Sequence, residues 1–248
     1  MAKILALWAT PRTTSTAFEW MMRMRGDMTC FHEPLGEWWY KGDGAKWPRL
    51  EANSERIAGL TFDGILSQLL AVAERQPTFS KDFPHYHYDY HGSWDAAFLS
   101  HFTHSFLIRD PAKVVTSMAK QWDEFLLAEI GIPQQRDLFD RLMDQSGTPP
   151  PLIDSDDLLE DPETIVRLWC EAVGIPFIKE ALTWEPGERR EVSWYDGGSW
   201  HDNLKASRGL TPQPRKDADL SQASDTVKRL YEACLPHYEH MYQHRLRP

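Results

Sequence analysis

The turn that follows the first apolar stretch of the chain carries side chains suited to holding an oxyanion. The sequence KILALWATPRTTSTAFEWMM predicts a strand over residues 3–9 and a helix over 16–24, and the turn between them contains Arg12, Thr13, Thr14, Ser15 and Thr16. Backbone N–H groups at a helix N-terminus attract anions, and an arginine adds a forked cationic donor. The turn has neither GxxxxGK[ST] nor GxGxxG. It therefore predicts a cradle for a tetrahedral oxyanion, with ordinary capping of the helix by Thr and Ser as the alternative.

Three further charged residues lie where predicted strands end. Glu33 follows the second strand, Lys81 lies in the third, and Arg109 follows the fourth. Because ligands bind at the carboxyl ends of the strands in open parallel sheets, we expect these side chains to converge with Arg12. Pro34 disfavours the right-handed helical region at the residue before it, so we expect extended backbone at Glu33. The four residues together predict a polar site with a cationic part and one carboxylate.

The elements that must position these residues alternate between strand and helix. Hydrophobic periodicity predicts strands over 3–9, 28–34, 77–82, 103–110 and 149–154, and helices over 16–24, 54–75, 94–101, 111–122, 160–174 and 222–243. Residues 36–52 and 184–210 are predicted to be lid loops over the site. Such alternation is typical of a mostly parallel sheet with helices on both faces. We therefore expect a single α/β domain over residues 1–248.

The composition narrows the classes of partner. The 248 residues carry a formal net charge of −10, which argues against nucleic acid or an anionic membrane as partner. No apolar run approaches the roughly 18 residues that span a bilayer, so we expect no membrane span. The three cysteines form no CxxC pattern or disulfide framework, and a cytoplasmic location is expected. The segment HYHYDYH, residues 85–91, favours an aromatic wall for an acceptor over a metal site. No pattern specifies an oligomeric state.

Three segments resemble the sulfotransferases that use 3′-phosphoadenosine 5′-phosphosulfate (PAPS). PRTTSTAF resembles their 5′-phosphosulfate loop, IRDPAKVVTS resembles their 3′-phosphate element, and PLIDSDDLLEDPETIVRLWCEAVGIPF resembles a downstream strand and helix. The order and separations match across most of residues 3–178, whereas residues 179–248 match loosely. The resemblance implies a P-loop-like sulfotransferase architecture of the bacterial type, PAPS as the donor, and a small or medium organic acceptor with a hydroxyl group.

The resemblance also implies roles in the donor site. Arg12 takes the place of the basic residue that contacts the 5′-phosphosulfate, and residues 13–16 take the hydroxyl and amide positions around it. Arg109 and Ser117, eight residues apart, take the place of the pair that binds the 3′-phosphate. Where the family has Gly, this chain has Thr14. Gly lets the backbone come close to a phosphate, and the threonine side chain restricts that approach.

A later segment, GSWHDNLKASRGL over residues 198–210, falls where the family has a loop over the nucleotide. By this resemblance we expect Trp200 to stack on adenine. Lys205 or Arg208 is expected to reach a phosphate.

Glu33 is the candidate base. It lies 21 residues beyond Arg12, which is similar to the family members that use a glutamate rather than a histidine. A carboxylate there can accept the proton of the acceptor hydroxyl, and we expect substrate packing with Trp38 and Trp39 to raise its pKa by desolvation.

Lys81 resembles the lysine of the family's K-T-H-L-P element, which implies a contact with the oxygen that bridges sulfur and phosphate. The histidine of that element is absent here, and the spacing to Pro84 is one residue shorter. His85 and His87 stay open as alternative bases, on one face if the backbone is extended.

The residues favour an enzyme that moves the sulfuryl group of PAPS to a hydroxyl without an obligatory metal. One alternative is a diverged P-loop small-molecule kinase, for which Asp110 would be the candidate Mg²⁺ ligand. Another is a module on the same fold that binds a nucleotide or a partner without catalysis.

Overall fold

Five parallel strands form the centre of the computed structural model, which describes residues 3–43, 56–90, 94–192 and 201–247. The strand order is β2-β3-β1-β4-β5, and all four neighbouring pairs are parallel. The strands are β1 Ile4–Trp8, β2 Thr29–His32, β3 Thr78–Asp82, β4 Phe102–Ile108 and β5 Leu152–Asp154. The prediction of an α/β fold with a mostly parallel sheet flanked by helices is confirmed.

Strand β1 lies in the middle of the sheet, where it pairs with β3 on one side and with β4 on the other. All five of its residues are buried, as expected of a central parallel strand that reads as a continuous apolar run. Leu7 pairs with Lys81 on one side, and Trp8 pairs with Phe106 on the other. Two backbone carbonyls at this place, those of Trp8 and Leu107, accept hydrogen bonds from the buried Gln135 side chain, which ties β1 to β4.

Eleven α-helices lie among the described residues, and they connect and cover the strands. They are α1 Ser15–Met24, α2 Pro34–Lys41, α3 Phe62–Ala73, α4 Ala96–Ser100, α5 Pro111–Ala119, α6 Leu127–Ile130, α7 Ile132–Ser146, α8 Ser155–Glu160, α9 Pro162–Val173, α10 Asp202–Ala206 and α11 Asp225–Tyr242. Short 3₁₀ turns occur at Pro84–Tyr86, Lys179–Leu182 and Arg190–Val192. In these parts of the chain, no helix is both long and apolar enough to cross a bilayer.

The strand order places a crevice beside β1. The chain leaves β1 for the edge strand β2, returns through β3, and then crosses to β4 and β5 on the other side. In open α/β sheets, ligands bind outside the carboxyl ends of the strands where the order reverses in this way. The turns that follow β1, β2 and β4 therefore meet at one edge, as the sequence predicts.

Two predicted boundaries are wrong. Residues 36–41 of the predicted lid belong to α2, which begins with Pro34 and buries Leu35 and Tyr40. Residues 44–52 of that lid lie outside the described part of the chain. The predicted helix over 54–75 begins only at Phe62, because Gly59 has a φ of 78° and Thr61 caps the helix by accepting a hydrogen bond from Gly64 N–H. Residues 56–60 are accordingly not helical.

Five helices among the described residues were missed by the sequence prediction: α2, α6, α7, α8 and α10. Helix α7 has 15 residues and buries Leu138, Phe139 and Leu142. Helix α8 follows β5 directly and ends before Pro162, so the predicted helix over 160–174 is α9 with α8 in front of it. Helices α7 and α8 matter for the site, since α7 supplies Gln135 and α8 begins with Ser155.

Candidate active site

The turn after β1 opens the N-terminus of α1 toward a cavity. Thr14 is the N-cap residue, yet its side chain makes no capping hydrogen bond and the first turn contains no acidic residue. The first N–H groups of a helix have no partner within the helix, so this end presents donors and a partial positive charge. Thr14, Ser15 and Thr16 all line the cavity. Ordinary capping by Thr14 is therefore not what the structure shows.

Backbone strain is concentrated in this turn. Arg12 has a φ of 66° and Thr14 a φ of 68°, values in the left-handed region that a β-branched residue such as threonine seldom adopts. Thr14 occupies the position where the resembling family has glycine, and its left-handed backbone is the conformation that glycine adopts without cost. The threonine thus keeps the glycine-like path of the chain and adds a side chain to the cavity wall.

Neighbouring strand ends hold the carbonyl groups of the turn. Arg109 donates from Nη1 to the carbonyl of Arg12 at 2.6 Å, and Ser155 Oγ lies within hydrogen-bond distance of the carbonyl of Thr13. Thr13 Oγ1 donates to the carbonyl of Thr10 at 2.7 Å. These contacts occupy carbonyl oxygens whose lone pairs would otherwise repel a bound anion. Ser155 was not predicted as a site residue, although it lies in the downstream segment that carries the family resemblance.

The predicted pair for a 3′-phosphate is arranged differently from the simple expectation. Ser117 Oγ accepts from Arg12 Nε at 2.8 Å, so Ser117 contacts Arg12 rather than Arg109. Arg109 lines the cavity, and its Nε is buried with no hydrogen-bond partner among the described residues. Burial lowers the pKa of Arg12 most. The positive charge of Arg109 lowers it further, because the two guanidinium groups repel each other beside one cavity. An anion bound there would relieve that repulsion.

Glu33 faces the same cavity from the end of β2. Its backbone is left-handed, with φ 45° and ψ 52°, so the expectation of extended backbone is wrong. Proline excludes only the right-handed helical region before it, and Glu33 serves as the N-cap of α2. The N–H of Glu33 donates to the carbonyl of Lys81 at 2.8 Å, which fixes the turn to β3.

The carboxylate of Glu33 is held in its charged form. Tyr86 donates to Oε2 at 2.8 Å, and the ammonium of Lys81 is bonded to Oε1. Burial alone would raise the pKa of Glu33, but Lys81, His32 and these hydrogen bonds together lower it to about 2. The expectation that desolvation raises this pKa is wrong for the protein without ligand, since the buried ammonium outweighs it.

Lys81 lies behind Glu33 and is not part of the cavity wall. Its side chain is fully buried, and Nζ lies 5.0 Å from the ring centroid of Phe83 and 4.0 Å from Oε2 of Glu19. Contact between Lys81 and a bound donor stays a prediction, and it requires the ammonium to move away from Glu33. In the structure as it stands, Lys81 acts on Glu33.

The alternative bases His85 and His87 are placed unfavourably. His85 lies in the 3₁₀ turn and His87 directly follows it, so the extended arrangement expected for them is wrong. Both are buried, neither lines the cavity, and burial lowers the pKa of each to about 3. Tyr86, between them, does line the cavity, which fits the aromatic wall predicted for this segment. The predicted segment's last residue, His91, lies outside the described residues.

His32, which was not predicted as a site residue, lines the cavity, as does His201. His32 is the last residue of β2 and lies directly before Glu33. The sequence signal was present, because the string FHEP places a second titratable group at the same strand end.

The cavity has a volume of about 340 Å³, within the range of small-molecule sites. One wall is the turn 11–17, and a second contains Glu33 and Tyr86. The other lining residues come from the end of β4, from the segments after it and from the segment after residue 200, and they include Arg109, Trp122, Glu129, Leu159, His201, Asn203, Leu204, Ser207, Gly209, Leu210 and Gln213. The predicted lid loop over residues 184–210 thus contributes cavity-lining residues, and it contains the short helix α10.

Of the three residues expected to contact the nucleotide from that lid loop, the structure describes Lys205 and Arg208. Lys205 lies 3.5 Å from Asp202 and 3.6 Å from Glu188. Arg208 pairs with Glu185 at 3.0 Å. Neither cation is among the residues that line the cavity. Trp200 lies outside the described residues.

Two observations bear on a metal. The described ranges contain no group of three or more His, Cys, Asp or Glu side chains placed to hold an ion. Asp110, the candidate Mg²⁺ ligand of the kinase alternative, caps α5 by accepting from Ala112 N–H at 2.8 Å and does not line the cavity.

Comparison with known proteins places the chain in a family. The family model described as a sulfotransferase domain matches residues 2–245. Two Arabidopsis thaliana proteins called branched-chain-amino-acid aminotransferase-like protein 2 and protein 1 are 27% and 26% identical over 95% and 86% of the chain, covering 41% and 37% of their own lengths. The chain therefore spans about two fifths of the curated relatives that it matches.

Two solved structures are also similar. One is a sulfotransferase domain from the curacin biosynthetic pathway, at 12% identity and a TM-score of 0.46 over 94% of this chain and 97% of that one. The other is a sulfotransferase domain from the Synechococcus PCC 7002 olefin synthase, at 13% identity and a TM-score of 0.45 over 93% and 94%. With a model match over nearly its whole length, the chain belongs to the sulfotransferase domain family.

Proposed function

We propose that this protein transfers the sulfuryl group of PAPS to a hydroxyl group of a small or medium organic acceptor. One observation carries the proposal: a single cavity contains the open N-terminus of α1, two arginines and a buried carboxylate. The helix N-terminus and the arginines can bind the charged groups of a nucleotide donor, and the carboxylate can accept a hydroxyl proton. Membership of the sulfotransferase domain family supports the choice of sulfuryl transfer over other group transfers.

The donor is proposed to lie with its 5′-phosphosulfate over the turn 12–16. Arg12 and the N–H groups at the start of α1 would bind the phosphosulfate oxygens, and the hydroxyl groups of Ser15 and Thr16 would add donors. Arg109 is proposed to reach the 3′-phosphate with its Nε, which is buried and has no hydrogen-bond partner in the described part of the chain. In this pose Ser117 acts on the donor through Arg12, to which it is bonded.

The reaction itself is an in-line displacement at sulfur. Glu33 accepts the proton of the acceptor hydroxyl, and the acceptor oxygen forms a bond to sulfur. The bond between sulfur and the bridging oxygen breaks, and its electron pair leaves with adenosine 3′,5′-bisphosphate. Arg12 and the helix N-terminus stabilise the negative charge that grows on the leaving phosphate, by positioning and fixed dipoles.

The donor can be tested without knowing the acceptor. A thermal shift measurement compares adenosine 3′,5′-bisphosphate, 5′-AMP, and ATP with Mg²⁺ at equal concentrations. The proposal expects the largest rise in Tm with the bisphosphate, because only a ligand that binds the folded state stabilises it. A larger rise with ATP and Mg²⁺ would favour the kinase alternative. Tight bisphosphate binding without conversion of PAPS in the presence of any of a panel of alcohols and phenols would favour a module that binds without catalysis.

A further inference from the structure

A carboxylate and a histidine lie on the inner side of Glu33 in a geometry suited to moving a proton. His32 Nδ1 lies 2.6 Å from Oε2 of Glu19, a fully buried residue of α1. The other ring nitrogen, Nε2, lies 3.8 Å from Oε1 of Glu33. The His32 ring therefore stands between two carboxylates, one deep in the protein and one on the cavity wall.

Glu19 determines which nitrogen of His32 carries the proton. Its other oxygen, Oε1, accepts two hydrogen bonds from Arg23, at 2.9 and 2.7 Å. Burial raises the pKa of Glu19, but His32, Lys81 and Arg23 lower it further than burial raises it, so the group is ionised and can only accept hydrogen bonds. Nδ1 of His32 must then donate, and in the neutral ring this leaves Nε2 as the acceptor that faces Glu33.

Glu33 needs such a neighbour once it has taken a proton. Its charged form is stabilised by Lys81 and Tyr86, so a proton on Glu33 is held weakly and has to leave before the next turnover. Protonation also removes the attraction between Glu33 and Lys81, and this frees the carboxyl group to close the 3.8 Å gap to the ring.

We propose that His32, oriented by Glu19, receives from Glu33 the proton that the acceptor loses. The O–H bond on Glu33 breaks, an N–H bond forms at Nε2, and the positive charge of the imidazolium is stabilised by the carboxylate of Glu19. His32 then releases this proton to solvent through the cavity that it lines. The inference rests on the proposed function for Glu33, and it makes Glu19 a positioning residue that acts through His32.

The charged and titratable groups around the ring are compatible with this role. The cations are Lys81, which lies between the two carboxylates, and Arg23, which shares Glu19. The ring of His201 stands edge-on to His32 with 5.6 Å between centroids, and burial, then Lys81 and His32, lower its pKa to about 4. His201 is therefore neutral at neutral pH and adds no charge. The facing groups are thus Glu19, Arg23, Glu33, Lys81 and His201.

The first test reads the ring directly and needs no acceptor. NMR spectra of the full chain with isotope-labelled histidine, compared with spectra of His32→Asn to assign the signals, report the tautomer of His32 across pH 5 to 9. The proposal expects the proton of the neutral ring on Nδ1, the nitrogen that faces Glu19. A neutral ring with its proton on Nε2 would overturn the proposal.

The second test measures kcat against pH for PAPS with 4-nitrophenol as probe acceptor, in wild type, His32→Asn and Glu19→Gln. We expect His32→Asn to lose about tenfold or more in kcat and to lose the acid limb of the profile, with KM for PAPS unchanged. Glu19→Gln should shift that limb. His240→Asn is the matched control, since His240 forms a similar pair with Asp140, at 3.1 Å, away from the cavity.

The outcomes distinguish proton transfer through His32 from a purely structural contact of this side chain. If His32→Asn lowers kcat equally at every pH and keeps the acid limb, the histidine only holds β2 to α1 and the proposal is wrong. If wild type neither binds adenosine 3′,5′-bisphosphate nor consumes PAPS, the proposed function fails. The tautomer measurement decides the arrangement of His32 in that case as well.

Discussion

Replacing Lys81 by methionine would remove the ammonium that lies between two buried carboxylates. The Lys81 side chain is fully buried, bonded to Glu33 and 4.0 Å from Glu19. Methionine keeps most of the length and apolar volume of the side chain, so the change acts mainly on charge. In the variant, Glu33 must either stay charged without its partner or take up a proton. Both outcomes cost free energy of folding at neutral pH.

The typical cost of breaking a buried ion pair sets the size of the loss. Removing one partner of such a pair costs about 3–5 kcal/mol. The pKa of Glu33 is about 2 against an ordinary value of 4.5, and this net effect of burial, Lys81, His32 and Tyr86 corresponds to about 3 kcal/mol of stability at neutral pH. Because the folded-state pKa is the lower one, that stability is complete above about pH 4.5 and is lost as the pH falls toward 2. We therefore expect Lys81→Met to lower the free energy of unfolding by about 3 kcal/mol at pH 7.

Urea denaturation at pH 7 measures this loss, with a matched surface substitution as control. Lys179 is 67% exposed and pairs with Glu163 at 2.8 Å, so Lys179→Met removes an ion pair of similar length in water. Exposed pairs contribute at most about 1 kcal/mol, and the control should change little. The double variant Lys81→Met/Glu33→Gln removes both charges and should recover most of the loss.

The pH dependence provides the decisive comparison. In Lys81→Met, burial raises the pKa of Glu33, so the variant gains a proton on folding as the pH falls. The difference between wild type and variant should therefore shrink between about pH 7 and about pH 4. A loss below about 1 kcal/mol that is the same at both pH values would show that the buried pair does not stabilise the fold, and the reasoning would be wrong.

The other predictions concern individual contacts of the site. Glu33→Gln should reduce kcat by about 10²–10⁴ while adenosine 3′,5′-bisphosphate still binds in calorimetry; near-normal turnover, with loss in His85→Asn or His87→Asn instead, would assign the base to a histidine. Arg109→Ala should weaken the bisphosphate by about 2–3 kcal/mol in calorimetry and 5′-AMP by much less. Because Arg109 also holds the carbonyl of Arg12, an equal loss for both nucleotides would mean that it braces the turn and does not read the 3′-phosphate. EDTA should leave turnover unchanged, whereas loss and recovery with Mg²⁺ would favour a kinase. Thr14→Gly should raise the free energy of unfolding by about 1 kcal/mol in urea, since the left-handed φ of 68° disfavours threonine; a destabilised variant would show that the Thr14 side chain contributes more than the strain costs.

The strands and the edge of the sheet that carries the site could be predicted because they depend on local patterns. Runs such as ILALW are apolar over their whole length, which identifies buried parallel strands without any knowledge of their neighbours. The position of Arg12, Glu33 and Arg109 at strand ends then follows from topology alone. Helix α7 was missed although Ile132, Leu138, Phe139 and Leu142 follow a helical period, so in that case the signal was present in the sequence.

The electrostatics of Glu33 could not be predicted, because they depend on side chains brought together from three elements. The sequence shows Trp38 and Trp39 near Glu33 and so favours desolvation. The structure adds Lys81 from β3, Tyr86 from a 3₁₀ turn and His32 from β2, which together lower the pKa instead. Glu19 illustrates the same limit. An acidic residue inside the apolar helix AFEWMM is an unusual choice, since buried carboxylates require partners, but the sequence does not say which partners they are.

The residues of the site with a strained backbone are held in place by contacts from the ends of neighbouring strands. Among the described residues other than glycine, positive φ values occur only at Arg12, Thr14 and Glu33, and all three line the cavity. Each such residue costs of order 1–3 kcal/mol and persists only when its surroundings hold it. Here the holding contacts come from the ends of β3, β4 and β5: the carbonyl of Lys81 accepts the Glu33 N–H, Arg109 donates to the Arg12 carbonyl, and Ser155 lies against the Thr13 carbonyl. Since no local pattern favours a left-handed threonine or glutamate, the geometry of the cavity is a property of the assembled sheet edge, and changes at Arg109 or Ser155 should alter ligand binding even where those side chains do not touch the ligand.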